Sequence, residues 1–240
     1  MNQQTLEKLS QMRLHGMKEA FETLLETKQT PTLDQGIAML TEAEWEYRQT
    51  RKMERYVKSA SFRYCAAIEE LDYSAGRNLN KNQVLRLAQC TYIERGESVL
   101  ITGPTGTGKS FLASALGHQG CLKGYQTLYS NLQKLFIKLR MGKADHTYHK
   151  QLRAIEKTDL LILDDFGLQV LDHEMRMILL GIIEDRHSRK ATIIVSQLPV
   201  KNWYDVINEA TIAEAILDRI VHNSNRIELK GESLRKRAKK

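Results

Sequence analysis

The run Gly103-Pro-Thr-Gly-Thr-Gly-Lys109-Ser110 constrains this chain more than any other feature. It matches GxxxxGK[ST], follows directly on the apolar run Ser98–Thr102 (SVLIT), and opens the helical pattern SFLASALG. A strand, a glycine-rich loop and a helix must therefore meet there. Gly103, Gly106 and Gly108 let the backbone come close to phosphate oxygens, where side chains would collide. With Pro104, Thr105 and Thr107 they form a loop whose N–H groups, with the helix N-terminus behind them, suit a polyphosphate. Lys109 is placed to reach the β- and γ-phosphates, and the Ser110 hydroxyl is the expected Mg²⁺ ligand. The alternative, a glycine-rich surface turn, does not explain the strand and helix on either side.

A second feature depends on the first. In Asp159-Leu-Leu-Ile-Leu-Asp164-Asp165-Phe-Gly167 the apolar residues read as a buried parallel strand, so Asp164 emerges at its carboxyl end, where open α/β sheets bind ligands. There it is placed to hold Mg²⁺ through water. Asp165, next along, points elsewhere on strand alternation and is placed to orient or deprotonate an attacking water. One further strand, Thr127–Ser130, intervenes between the loop strand and the acidic strand. That spacing resembles the ATPase branch of the phosphate-loop proteins, so the nucleotide expected is ATP. In that branch a polar side chain after the fourth strand reads the γ-phosphate. Ser196 and Gln197 follow Ala191–Val195, with Gln197 preferred and a plain turn before Pro199 as the alternative.

Around these motifs the pattern divides. Residues 1–75 read as a small all-helical module: one amphipathic helix of about six turns over residues 6–25, then a second long helix opened by a capping box at Thr32–Gln35 and running to about Ser59. The polar stretch Asp72–Asn82 marks the expected boundary. Beyond it, strands alternate with helices, the last strand falling at Arg226–Leu229, which predicts a five-stranded parallel sheet with helices on both faces. The expected domains are thus 1–75, 76–229 and a basic tail, 230–240.

Composition bounds the partners. A hydrophobic fraction of 42% and a charged fraction of 27% fit a globular protein. No apolar run reaches the roughly 18 residues that would span a bilayer, and three scattered cysteines suggest neither a disulfide framework nor a zinc site, so a cytoplasmic protein is expected. The net charge of +7 is uneven: residues 1–95 hold 14 basic and 13 acidic side chains, leaving the excess to the rest of the chain. Two segments concentrate it, 134–157 and 230–240. Such segments suit a polyanion, or are simply solvated.

Taken together, GPTGTGKS, LLILDDFG, IVSQLP and ILDRIVHNSNRIELKGESLR resemble the IstB-like ATPases, AAA+ proteins of the initiator clade that assist insertion-sequence transposition and are related to DnaC-type helicase loaders. The resemblance implies an ATP- and Mg²⁺-dependent ATPase whose AAA+ core follows a helical N-terminal domain, without a full C-terminal lid. It implies a homo-oligomer, ring or spiral filament, acting on DNA, with duplex favoured, and a transposase as partner; loading of a replicative helicase is the alternative function. Arg219 falls where AAA+ proteins carry an arginine finger that completes the neighbouring subunit's site; a surface ion pair on its own helix is the other reading. Arg235 either contacts phosphate in its own subunit or belongs to the basic tail. Lys134, Lys138 and Lys150 lie near an inserted helix that touches DNA in that clade, where phosphate contacts would give affinity without sequence specificity.

Overall fold

The computed structural model describes residues 2–27 and 30–234, which divide into two compact units, 1–55 and 56–240. In the first unit α1 (Asn2–Gln11) and α2 (His15–Glu26) precede α3 (Leu33–Ala60), whose last turn belongs to the second unit. The single helix expected over residues 6–25 is therefore two. Arg13 takes φ +59° and breaks it. The reason is a tertiary partner: the Glu44 carboxylate of α3 accepts the amides of Gly16 (2.9 Å) and Met17 (3.2 Å). These amides are exposed only when a new helix starts, and a negative charge there is favourable. Gly16 is required, because a Cβ at this position would overlap the carbonyl oxygen of Ala43. At the start of α3 the capping box forms as the sequence suggests, with Thr32 N donating to Gln35 Oε1 (3.1 Å) and Gln35 N to Thr32 Oγ1 (3.4 Å).

The second unit begins before the polar stretch at 72–82. Ala66 and Ile68 are buried in its core, with Phe62 and Tyr64 packed against them. Packing thus changes hands near residue 56, whereas composition changes near residue 75. After α4 (Lys81–Ala88) and α5 (Thr91–Glu94), the order is β1 (Ser98–Thr102), α6 (Lys109–Leu122), β2 (Thr127–Asn131), α7 (Leu132–Ala144), α8 (Tyr148–Lys157), β3 (Leu160–Phe166), α9 (His173–Arg186), β4 (Ala191–Ser196), α10 (Trp203–Ile207), α11 (Ala210–Val221) and β5 (Ser224–Glu228). All strands are parallel, in spatial order β2-β3-β4-β1-β5.

Alternation along the strands builds two apolar layers. Val99, Ile101, Leu160 and Ile162 face the side covered by α4 and α6; Leu100, Leu161 and Leu163 face α7, α9 and α11. At the amino-terminal edge of the sheet, buried Arg186 donates to Ile155 O (2.8 Å), Thr158 O (2.9 Å) and Thr192 Oγ1 (3.1 Å), and burial lowers its pKa to about 10. It ties the end of α8 to β4. Among the described residues no helix is long and apolar enough to cross a membrane.

Burial would push the Glu44 carboxyl up, but Arg48 (Nε to Oε1, 2.7 Å) and the two amides outweigh it and hold it below its ordinary value. A depressed carboxylate stabilises fully above its unfolded pKa of about 4.3 and loses that contribution as pH falls through the lower folded value. Glu44→Ala leaves two helix-start amides unpaired and is expected to cost about 1–3 kcal/mol at neutral pH. Hydrogen exchange at Gly16 and Met17 in the full chain checks this: protection should fall in the variant, and in the wild type should fall with acid.

Candidate nucleotide-binding site

β1 ends at Thr102 and α6 begins at Lys109, so residues 103–108 lie at the carboxyl edge of the sheet. Gly103, Gly106 and Gly108 hold φ of +141°, +82° and +88°. A Cβ at Gly103 would overlap Leu229 O, and one at Gly106 would overlap the Ser233 hydroxyl. Four carbonyls in and beside the loop are engaged by groups outside helix α6 or by the loop itself. Thr102 O accepts Leu229 N (2.8 Å), Gly106 O accepts Leu234 N (2.9 Å), and Thr107 O accepts Arg77 Nη2. Pro104 O accepts Thr107 Oγ1 and Lys109 Nζ, each at 2.8 Å. The first bond of α6 runs from Leu112 N to Gly108 O (2.9 Å), so the amides of residues 109–111 have no helical acceptor. Together these form an anion cradle of backbone donors at a helix start, with Lys109 beside it.

Asp164 and Asp165 close β3 at the same edge. The pairing of β3 with β4 slips between Leu163 and Phe166, and Asp165 takes φ +61°. Ordinary alternation would point the two carboxylates apart. The irregularity instead brings both to Arg63, whose Nη1 lies 3.4 Å from Asp164 Oδ2 and 3.3 Å from Asp165 Oδ2. Asp164 is buried; its Oδ1 accepts Asp165 N (2.8 Å) and its Oδ2 also accepts the Tyr129 hydroxyl. Burial, and then this bond, push the Tyr129 phenol far above its usual range, so it remains a donor. Asn131 Nδ2 donates to Asp165 Oδ2 (2.7 Å).

Between β3 and the loop strand, β4 delivers Gln197. Its Oε1 accepts Thr105 Oγ1 at 2.6 Å, which brings it onto the loop. Ser196 is committed elsewhere, donating to Phe166 O (2.8 Å) and accepting Leu198 N (3.0 Å). A cleft of about 210 Å³ lies over Gly106, Gly108, Lys109 and Ser110, with Tyr64, Phe111 and Leu234 as walls. A second, of about 140 Å³, shares Gly108, Phe111 and Leu234 and is mainly apolar through Leu71, Leu79 and Leu229. A polyphosphate cradle beside an apolar slot suits a nucleotide. Among the described residues no group of three or more His, Cys, Asp or Glu is placed to hold a metal. Ser110 and Asp164 therefore fit Mg²⁺ only together with phosphate oxygens, as is usual for this ion.

The remaining sequence candidates lie apart from the cradle. Lys134 lines a cleft of about 420 Å³ with Arg63, Asn131 and Asp165, and Lys138 and Lys150 line an adjoining one of about 490 Å³ over β2. All three are exposed. Arg140 and Lys143 of the same basic segment are instead paired with Asp172 and Glu174. Arg219 shares a cavity with Ser98 and Thr192, at the amino-terminal ends of β1 and β4. That is the opposite edge of the sheet from its own loop. It donates to Ala215 O (2.8 Å) and pairs with Glu184 (3.3 Å). Arg235 and the tail after Leu234 fall outside the described residues. Sequence reasoning missed Arg63, Arg77, Tyr129 and Asn131. None of them is marked in sequence; Asn131 gains its place from the register of β2, which sets it beside Asp164.

Comparison with known proteins agrees with this geometry. The model of the family described as IstB-like ATP binding protein matches residues 7–240. An insertion sequence ATP-binding protein of Sinorhizobium fredii is 41% identical over 234 residues, 97% of this chain and 96% of that protein. Among solved structures, the DnaC helicase loader aligns with a TM-score of 0.59 at 21% identity, over 73% of this chain and 99% of that one. AMPPCP-bound DnaA from Aquifex aeolicus aligns with a TM-score of 0.61 at 17% identity, over 72% of this chain and 52% of that one. These likenesses are of fold, and the fold is that of the AAA+ core.

Arg77 bridges Asp72 (3.3 Å) and the loop carbonyl of Thr107. Arg77→Met should keep its bulk and remove that brace. A charged hydrogen bond contributes about 1.5–3 kcal/mol, so affinity for a fluorescent ATP analogue should fall roughly tenfold or more, with the circular-dichroism spectrum unchanged. Unchanged affinity would show that the loop needs no such support.

Proposed function

The chain belongs to the IstB-like ATP-binding protein family, and from that premise we propose that it is an ATP-hydrolysing, DNA-bound helper of transposition. The supporting observation is the joining of three elements at one sheet edge: the carbonyl-anchored loop 103–108, the acid pair of β3, and Gln197 bonded to Thr105. In this reading the backbone N–H groups from Thr105 to Ser110 bind the phosphates. Lys109 exchanges the Pro104 carbonyl for the β- and γ-phosphate oxygens. Ser110 and Asp164 would hold Mg²⁺, which would supply neutralisation of phosphate charge. Asp165 orients the attacking water and takes its proton, and Gln197 positions that water against the γ-phosphate.

Arg219 has no route to the loop of its own chain, because the length of the sheet separates them. Its exposed partner Glu184 holds it in place on the amino-terminal edge. As an arginine finger it would act on a neighbouring copy, where such a residue contributes ~10³–10⁵ in rate. Hydrolysis then requires an oligomer, a ring or spiral. Lys134, Lys138 and Lys150 supply phosphate contacts to DNA, with duplex favoured and no base reading. The helical module of residues 1–55 meets DNA or the transposase, which the assembly recruits or activates and then releases on hydrolysis. Arg235 extends the nucleotide contacts or the basic tail. The helicase-loader reading is supported only by likeness of fold, whereas the insertion-sequence relative matches nearly the full length of the chain.

Lys109→Ala is expected to abolish ATP binding and ATP-dependent assembly on DNA, seen by fluorescence and by electron microscopy; undiminished binding would overturn the assignment. Asp165→Asn should leave assembly intact but prolong the life of the DNA complex. DNA affinity should fall with salt at a log–log slope of about −0.9 per neutralised phosphate. Replacing Lys134, Lys138 and Lys150 by Ala should flatten that slope, and an unchanged slope would remove them from the interface.

A further inference from the structure

Arg63 is absent from every role assigned so far, yet it touches both acids of β3. Its position is fixed from both sides. α3 runs unbroken to Ala60, Ser61 turns the chain with φ +57°, and Phe62 packs against Gly117 and the edge of the Tyr129 ring. On the other side Tyr64 stacks near Phe111, the residue after Ser110, with ring centroids 6.0 Å apart. Between these anchors the Arg63 side chain, 42% exposed, reaches Asp164 and Asp165 and opens onto the cleft shared with Lys134.

Both oxygens of buried Asp164 are thereby committed to protein donors: Oδ1 to the Asp165 amide, Oδ2 to Tyr129 and Arg63. Asp165 Oδ2 is likewise taken, by Asn131 and Arg63. A cation, or a cation-bound water, that uses these oxygens must share the same small volume with a guanidinium, and two positive charges there repel. Of these donors Arg63 is the one that can leave, since Tyr129 is buried, Asn131 is held as the cap of α7 by Lys134 N (3.1 Å), and the Asp165 amide is backbone. We propose that Arg63 is an electrostatic gate on divalent-cation loading: it occupies the acid pair, and the ion binds by displacing it. The proposal rests on Asp164 being the magnesium-binding carboxylate.

The test follows binding of a fluorescent ATP analogue to the full chain, first in EDTA and then as Mg²⁺ is raised, for wild type, Arg63→Gln and Arg63→Lys. The readout is the Mg²⁺ concentration at which the Mg²⁺-dependent tightening is half complete. A half-exposed ion pair is worth up to about fivefold in such an equilibrium. Arg63→Gln should therefore lower the midpoint by roughly that factor while leaving affinity in EDTA unchanged. Arg63→Lys, which keeps the charge but reaches one carboxylate at a time, should fall between. Equal midpoints for wild type and R63Q overturn the gate, as does R63K indistinguishable from R63Q. If R63Q does not fold, R63K alone decides, by a midpoint below or equal to that of wild type. Failure of the wild type to bind the analogue, or binding with no response to Mg²⁺, overturns instead the nucleotide and magnesium reading on which the gate rests.

Discussion

A loop that presents amides to an anion must send its carbonyls elsewhere, and buried carbonyls without partners cost about 1–3 kcal/mol each. In residues 103–108 and the strand end before them, this requirement reaches across the whole second unit. Leu229 and Leu234 supply amides from beyond β5, Arg77 supplies a guanidinium from before α4, and Lys109 and Thr107 meet at Pro104. The sheet order makes this possible. With β1 between β4 and β5, the loop has the 229–234 segment on one flank and Gln197 on the other. The segment after β5 is thus part of the nucleotide site's framework.

How much of this was legible in sequence follows from the range of the forces involved. The strands, the glycine loop and the capping box at Thr32–Gln35 are set by neighbours within a few residues, and the pattern of SVLIT or DLLIL is enough to place them. The break at Arg13 is not local. It comes from Glu44, 28 residues beyond Gly16, and apolar spacing over residues 6–25 carries no trace of it. The compact units part near residue 56, ahead of the change in composition, for a related reason: Phe62 and Ile68 belong to the core of the second unit, while the polar residues that look like a linker follow them. At the acid pair, period-two alternation foretold carboxylates pointing apart, and a register slip removed that expectation. Arg63 and Arg77 were invisible because each sits in unremarkable sequence and gains its meaning from partners 101 and 30 residues away.

Three arginines mark three different demands on the same site. Arg77 is buried and braces the loop from outside. Arg63 is half exposed and bridges two carboxylates from the end of a long helix. Arg219 lies on the far edge of the sheet, tethered to Glu184. Only the first is confined to its own nucleotide pocket. The other two face outward: Arg63 opens onto the cleft shared with Lys134, and Arg219 sits at the amino-terminal edge of the sheet. In the function proposed above, those are the places where assembly on DNA would act on ATP turnover.

If Arg219 completes the site of a neighbouring copy, two inactive variants should rescue one another when mixed. Arg219→Ala keeps an intact nucleotide site, and Lys109→Ala keeps an intact finger. With DNA present, each alone should hydrolyse ATP at background rate, while an equimolar mixture should recover a clear fraction of wild-type activity. A mixture as inert as its components, or Arg219→Ala turning over at the wild-type rate however dilute, would contradict the account.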